Sequence, residues 1–223
     1  MHVLDNPAWA ALTGPQRDVA ERHGRSARFP TDVSRFAAVD DPADPVAWRD
    51  LAALGDPGYE PLLAAPGLSA PAGWTHIRGV PGVQLVGAGV PGAADPEAVV
   101  LSPADVPDML DLVQRTHPGP FAKRTPELGT YLGIRRGGAL VAMAGERMRI
   151  AGYTEVSSVC TDPAYRGGGL ATRLIGALVA GIRARGDVPF LHAAESNTGA
   201  IRLYRELGFT VRSPIVFGAY RPA

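Results

Sequence analysis

The chain has 223 residues, 46% hydrophobic and 20% charged, enough for one large domain or two small ones and unlike a disordered or collagen-like composition. Its 22 basic residues balance 22 acidic ones, which is not the footprint of a nucleic-acid binder working by bulk charge. A single cysteine, Cys160, excludes an intrachain disulfide and any cysteine-rich metal site, and neither a leader at Met1–Pro15 nor a long apolar run is present, so a cytoplasmic protein off the membrane is expected.

In chain order, helical runs are expected near Pro7–His23 and Val46–Leu54, separated by turns at Asp41-Pro42, Asp44-Pro45, Asp56-Pro57-Gly58 and Ala65-Pro66-Gly67. Ile77–Val90 holds small apolar pieces broken by glycine and proline, and reads as short strands with tight turns. Gly87–Pro96 is the best linker. It divides the chain into an accessory α/β unit at residues 1–95 and a second domain at residues 96–223. Charge shifts close to that point: residues 1–98 carry a net of −5 and residues 99–223 a net of +5, with Lys123 the one lysine. Such a separation suggests two units with different jobs, the second facing an anion.

Beyond Ala98 the pattern sharpens. Val99–Leu101 reads as a strand, and Ser102-Pro103 opens a helix striped by Val106, Met109, Leu110 and Val113. Thr130–Ile134 and Ala139–Arg149 form a hairpin around Arg136-Gly137-Gly138, and Tyr153–Thr161 is a further strand. Leu170, Leu174, Ile175, Leu178 and Ile182 stripe a helix ending near Gly186. Phe190–Ala193 is a strand, Asn197 caps a helix running to Leu207, and Thr210-Val211 and Ile215–Tyr220 close as two strands. The fold class is therefore mixed α/β.

The most informative stretch runs from Glu155 to Ala171. A strand ends at Asp162-Pro163, and Arg166-Gly167-Gly168-Gly169 turns directly into a helix. Glycines let a ligand approach the backbone, free N–H groups point outward, and the helix dipole with Arg166 makes a pyrophosphate seat. A dinucleotide fingerprint fitted from Gly167 meets Thr172 where a small residue is needed, and a Gly-Lys-Ser/Thr phosphate loop is absent.

Here the sequence resembles the GNAT superfamily of acyl-CoA-dependent N-acyltransferases. The likeness rests on Arg166–Ala171 after Val159–Pro163, followed by Glu195-Ser196-Asn197 and Ile201–Phe209 in family order and spacing. It covers about residues 98–223 and looks closest to the branch that includes glycine N-acyltransferases. The resemblance implies a mostly antiparallel central sheet flanked by helices, acetyl-CoA as cosubstrate, an amine acceptor and no metal; it is compatible with a homodimer. It implies that backbone groups of Val159, Cys160 and Thr161 pair with the pantetheine arm. It likewise gives the pyrophosphate to Arg166, Gly167, Gly168, Gly169, Leu170 and Ala171, and the pantetheine end to Asn197. Tyr204 would protonate the departing thiolate.

Bland readings stand beside these. Asn197 is already explained as a helix cap, Tyr204 shares a face with Ala200, Ile201 and Leu207 as a core residue would, and Cys160 is a small buried hydrophobe rather than a nucleophile. For the general base Glu155 and His192 lead, Glu146 is third, and water is the remaining choice. The rival from another class is a non-catalytic acyl-CoA sensor or interaction module, with the acidic first half serving regulation or assembly. On the enzyme reading that half is a smaller α/β unit, a decayed copy of the same fold, that walls the acceptor site and adds specificity. The acceptor's identity is not written in the sequence.

Overall fold

The computed structural model describes residues 2–56 and 58–223; Pro57, inside the turn expected at Asp56–Gly58, and Met1 lie outside the described residues. The Asn6 side chain accepts from Trp9 N and Pro7 takes the first helical position, which starts α1 (Pro7–Thr13). The helix expected to reach His23 stops there, because Pro15 has no N–H to continue the ladder and disfavours helical backbone at Gly14. Three short strands follow, β1 (Glu21–His23), β2 (Ser26–Arg28) and β3 (Ala37–Val39), and form a small antiparallel sheet. Asp44 caps α2 (Pro45–Ala53), which buries Trp48 and Leu51.

β4 (Leu62–Ala65) precedes β5 (Trp74–Val86), a continuous strand of 13 residues where short strands and turns were expected. Its glycines and prolines have packing reasons instead. The Pro81 carbonyl accepts from Glu195 N, so the missing N–H lies on that same side, beyond the end of the ladder, and costs the sheet nothing. A Cβ at Gly82 would sit 2.6 Å from the Phe217 ring and 2.8 Å from the Ala193 carbonyl oxygen, which only glycine avoids.

The rest of the chain gives β6 (Val99–Val100), α3 (Val106–Thr116), β7 (Tyr131–Arg136), β8 (Ala139–Ile150), β9 (Tyr153–Thr161), α4 (Leu170–Ala184), β10 (Val188–Ala194), α5 (Thr198–Glu206) and β11 (Thr210–Pro222). The two strands expected at the end are one, with the break surviving as a bulge between Val211 and Ser213. Eight strands form one sheet in the order β4-β11-β5-β10-β9-β8-β7-β6, antiparallel throughout except for β9 beside β10. The fold is mixed α/β, as the sequence led us to expect.

Alternation along the strands supplies both faces of the sheet. Leu191 joins Leu174, Leu178, Ile182 and Phe209 in the core under α4 and α5. Its neighbour Phe190 joins Leu4, Phe29 and Phe36 in a second core contributed largely by the first 40 residues. Each such fully buried side chain is worth about 1.5–3 kcal/mol. Among the described residues no helix is long and apolar enough to cross a membrane.

The division expected near residue 95 is crossed by the sheet. β5 lies between β10 and β11 and is hydrogen-bonded to both, while Asp95 holds Arg173 of α4 through two hydrogen bonds of 2.5 and 2.8 Å. Residues 96–223 alone would leave β10 and β11 with unpaired edges where β5 belongs. The expected outcome is that this fragment lacks the cooperative thermal transition of the full chain. A sharp transition at an unchanged Tm, followed by near-ultraviolet circular dichroism, would show that the second half folds by itself.

Candidate active site

The site begins where two strands part. β10 pairs with β9 from Val188 opposite Tyr153 to Phe190 opposite Glu155, and no further. Beyond that pair β9 keeps β8 on its other side and β10 keeps β5, so each turns a free backbone edge toward the other. A bulge in β9 drives the parting: the register with β8 slips between Ser157 and Cys160, and Ser158 takes φ 52°, a left-handed conformation costly for a non-glycine residue. The opening is a cleft of about 740 Å³ lined by Val156–Thr161 of β9 and His192–Ala194 of β10.

At one end of this cleft β9 runs into the glycine turn. Gly167 and Gly169 have φ of 81° and 74°, and open space lies where their side chains would be, so conformation alone calls for glycine here. Gly169 is the N-cap of α4 and no side chain caps the helix, so its first N–H groups are free to meet an anion. Arg166 bends back over the turn, its Nε donating to the Thr161 carbonyl at 3.2 Å. Cys160 is buried, and desolvation pushes its thiol up from the usual range, so the thiolate is disfavoured.

Across the cleft, Asn197 Oδ1 caps α5 by accepting from Ala200 N at 3.2 Å, and the side-chain amide nitrogen makes no hydrogen bond among the described residues. Cap and cleft wall are thus compatible duties of one residue. Tyr204 lies two turns further along, packed edge-on against Phe209 with ring centres 6.0 Å apart. Its hydroxyl makes no hydrogen bond among the described residues, and the side chain belongs to the core under α4 and α5 while also lining the cleft. Burial pushes the phenol up to about 12, so the proton stays on at neutral pH.

Beneath the cleft runs a chain of buried polar groups. Arg147 of β8 clasps Glu155 of β9 through Nε at 2.9 Å and Nη2 at 2.6 Å. Glu155 Oε1 also meets His192 Nδ1 of β10 at 2.7 Å. Gln84 of β5 is oriented by two partners: its Oε1 accepts from Arg212 of β11 at 2.9 Å and its Nε2 donates to the Leu4 carbonyl at 2.8 Å. The same amide nitrogen lies 3.0 Å from His192 Nε2 and must donate to it, which assigns the ring proton to Nδ1. Arg212 ends the chain on Asp5, 2.5 Å away.

Two of the expected general bases, Glu155 and His192, lie within this chain of contacts. Burial by itself would raise the Glu155 carboxyl, but the Arg147 charge and the hydrogen bonds from Arg147 and His192 outweigh it and hold the group down to about 2. A carboxylate so stabilised is a poor proton acceptor. His192 lines the cleft, yet its one free lone pair faces Gln84. Glu146 is buried against Arg185 and the Thr130 N–H and does not reach the cleft wall. The parted ends of β9 and β10, Arg166, Ala171, Asn197 and Tyr204 all line one cleft. Arg147, Gln84, Phe36 and Arg78 also line or support it and went unnoticed, since none belongs to a local motif; the charge buried in an apolar strand at Glu155 was the available signal that a partner such as Arg147 had to exist.

A family described as FR47-like protein matches residues 131–217. A crystal structure of a GNAT-family protein from Novosphingobium aromaticivorans superposes with a TM-score of 0.92 and is 42% identical, covering 100% of both chains. A Mycobacterium leprae protein is 32% identical over 86% of this chain and 57% of its own length. The N-alpha-acetyltransferase RimI of Mycobacterium tuberculosis is 40% identical over 35% of this chain and 51% of its own length. The chain thus spans about half the length of these two curated relatives.

Removing one member of the buried pair tests its weight. Glu155→Gln leaves the Arg147 guanidinium buried without its counter-charge, and the expected loss is about 3–5 kcal/mol in urea unfolding at neutral pH. Because the Glu155 carboxyl sits at about 2 in the folded chain against an ordinary 4.5, its contribution is present above 4.5 and lost as pH falls toward 2. The gap between wild type and variant should therefore narrow over that window. A gap independent of pH would show that packing, not charge, is responsible.

Proposed function

We propose that this chain, which belongs to the GNAT superfamily, transfers an acetyl group from acetyl-CoA to a primary amine by direct attack, with both substrates held in the cleft at once. The observation that carries this reading is the open β9–β10 fork leading into an uncapped helix start behind the glycine turn. Free backbone groups at Val159, Cys160 and Thr161 would pair with the pantetheine arm as an added strand does. Amides from Gly167 to Ala171, with the Arg166 charge beside them, would take the pyrophosphate. The amide nitrogen of Asn197 would donate to the pantetheine end, which directs the thioester toward Tyr204.

Holding amine and thioester in contact converts a bimolecular step into one of orientation. A backbone N–H of the Ser158 bulge, near Val159, would face the charge that grows on the carbonyl oxygen. An amine of pKa ~10 must lose its proton before it attacks. With Glu155 and His192 satisfied inside the protein, water in the open cleft takes that proton. Tyr204 donates a hydrogen bond to the departing sulfur. Full transfer from a phenol at about 12 to a thiolate near ~8.5 runs uphill, so its effect belongs at the low end of acid catalysis.

Three measurements check the reading. Acetyl-CoA should raise the Tm where ATP or NAD at equal concentration does not, and no shift with any acyl-CoA would end it. Tyr204→Phe should lower kcat by roughly 10–100-fold with acetyl-CoA affinity and stability nearly unchanged, because among the described residues the hydroxyl has no hydrogen-bond partner to lose. A fully active variant would return the role to water. The pH profile of kcat/KM should climb with the free-amine fraction and show no inflection near ~6.5. An inflection there that His192→Gln abolishes would assign the base to His192.

A further inference from the structure

One end of the cleft carries positive charge that the protein itself does not neutralise. The strand register sets up the floor of that end: Arg78 of β5 lies opposite Ala219 of β11, Ala219 opposite Leu62 of β4, and Leu62 bridges Phe36. All four residues line the cleft, and the Arg147 guanidinium lies over the Phe36 ring, 4.5 Å from its centre. A second cavity of about 520 Å³ shares Arg78, Gly119 and Pro120 with the first and adds Thr31, Ser34 and Arg35. No aspartate or glutamate lines either cavity.

The positive groups are not equivalent. Arg147 is matched by Glu155, and Arg166 lies at the far end beside the glycine turn. Arg78 and Arg35 form no ion pair and no side-chain hydrogen bond among the described residues. Ser34 Oγ accepts from the Phe36 N–H at 3.3 Å, which leaves its own proton for a ligand. A purely cationic amine entering here would meet two like charges and no counter-charge. An amine that also carries an anion would be drawn in, anion toward the arginines and nitrogen toward the fork.

We propose that the acceptor is a primary amine bearing an anionic group, a carboxylate or a phosphate, held by Arg78 with Arg35. The proposal rests on the transferase reading for the position of the amine, and its test is arranged to fail separately. Titration calorimetry of the full chain saturated with CoA reads binding without turnover. The probes are β-alanine, γ-aminobutyrate and phosphoethanolamine, set against ethanolamine and propanolamine. The anionic amines should bind at least about tenfold more tightly than the neutral ones, as one charge-assisted pair allows. Arg78→Gln should erase that gap, Arg35→Gln should narrow it, and Arg78→Lys should restore part of it, while CoA affinity stays unchanged. The tighter of the carboxylate and phosphate probes names the anion.

Equal binding of anionic and neutral amines, or no binding of any anionic amine, would overturn the proposal. So would a loss of CoA affinity in Arg78→Gln, which would give the pair to the cofactor's phosphates. Anionic selectivity without acetyl transfer would refute the transferase reading alone. Transfer restricted to neutral amines would refute this subsite alone.

Discussion

A buried carboxylate stands at the vertex of the fork. Glu155 forms the last backbone pair between β9 and β10, and its side chain bonds to the strand on each side, Arg147 on β8 and His192 on β10. From there the polar chain continues through Gln84 on β5 to Arg212 on β11, so its members follow the spatial order of five adjacent strands. The sheet is stitched by side chains at the level where backbone pairing between its two central strands stops. A fork needs this: once β9 and β10 part, nothing in the ladder resists their sliding together and closing the cleft.

The cost of burying such a chain explains its completeness. An ionised carboxylate removed from water is tolerable only when its lone pairs are satisfied, and here Arg147 and His192 satisfy them. The same pairing holds the Glu155 carboxyl down to about 2 and occupies both ring nitrogens of His192. Groups that hold a cleft open by strong pairing are poor bases for the reason that they are good braces. Catalysis would then rest on geometry and on dipoles already in place, the strained backbone at Ser158 and the uncapped start of α4.

The first half of the chain is bound into this arrangement in two ways. β5 completes the middle of the sheet, while Leu4, Phe29 and Phe36 close the face that carries the polar chain. Gln16 reaches from beyond α1 to the carbonyls of Leu128 and Arg147, which ties that cover to the strand bearing the buried arginine. One wall of the cleft, Phe36, Leu62, Arg78 and Val80, comes from these residues. The cofactor-like end of the cleft and its opposite end are therefore built by different halves of the sequence.

What the sequence alone determined lies within short segments. The strand, glycine turn and helix from Tyr153 to Ala184, the Asn197 cap and the spacing to Tyr204 depend on neighbours a few residues away, so local chemistry was enough to read them. The helical stripe under α4 was equally legible, because a period of 3.6 residues needs no partner to be seen. Only the tertiary structure decided what β5 is. Its glycines and prolines look like turn signals until Phe217, Ala193 and Glu195 are seen beside them. It also decided the partners of Glu155. Whether a carboxylate is a base or a brace depends on the charge nearest to it, and here that charge comes from another strand, fixed by register across a bulged hairpin. Arg35 and Arg78 show the same dependence: 43 residues apart in the chain, they meet on one cavity because the sheet brings their strands' neighbours into a single row.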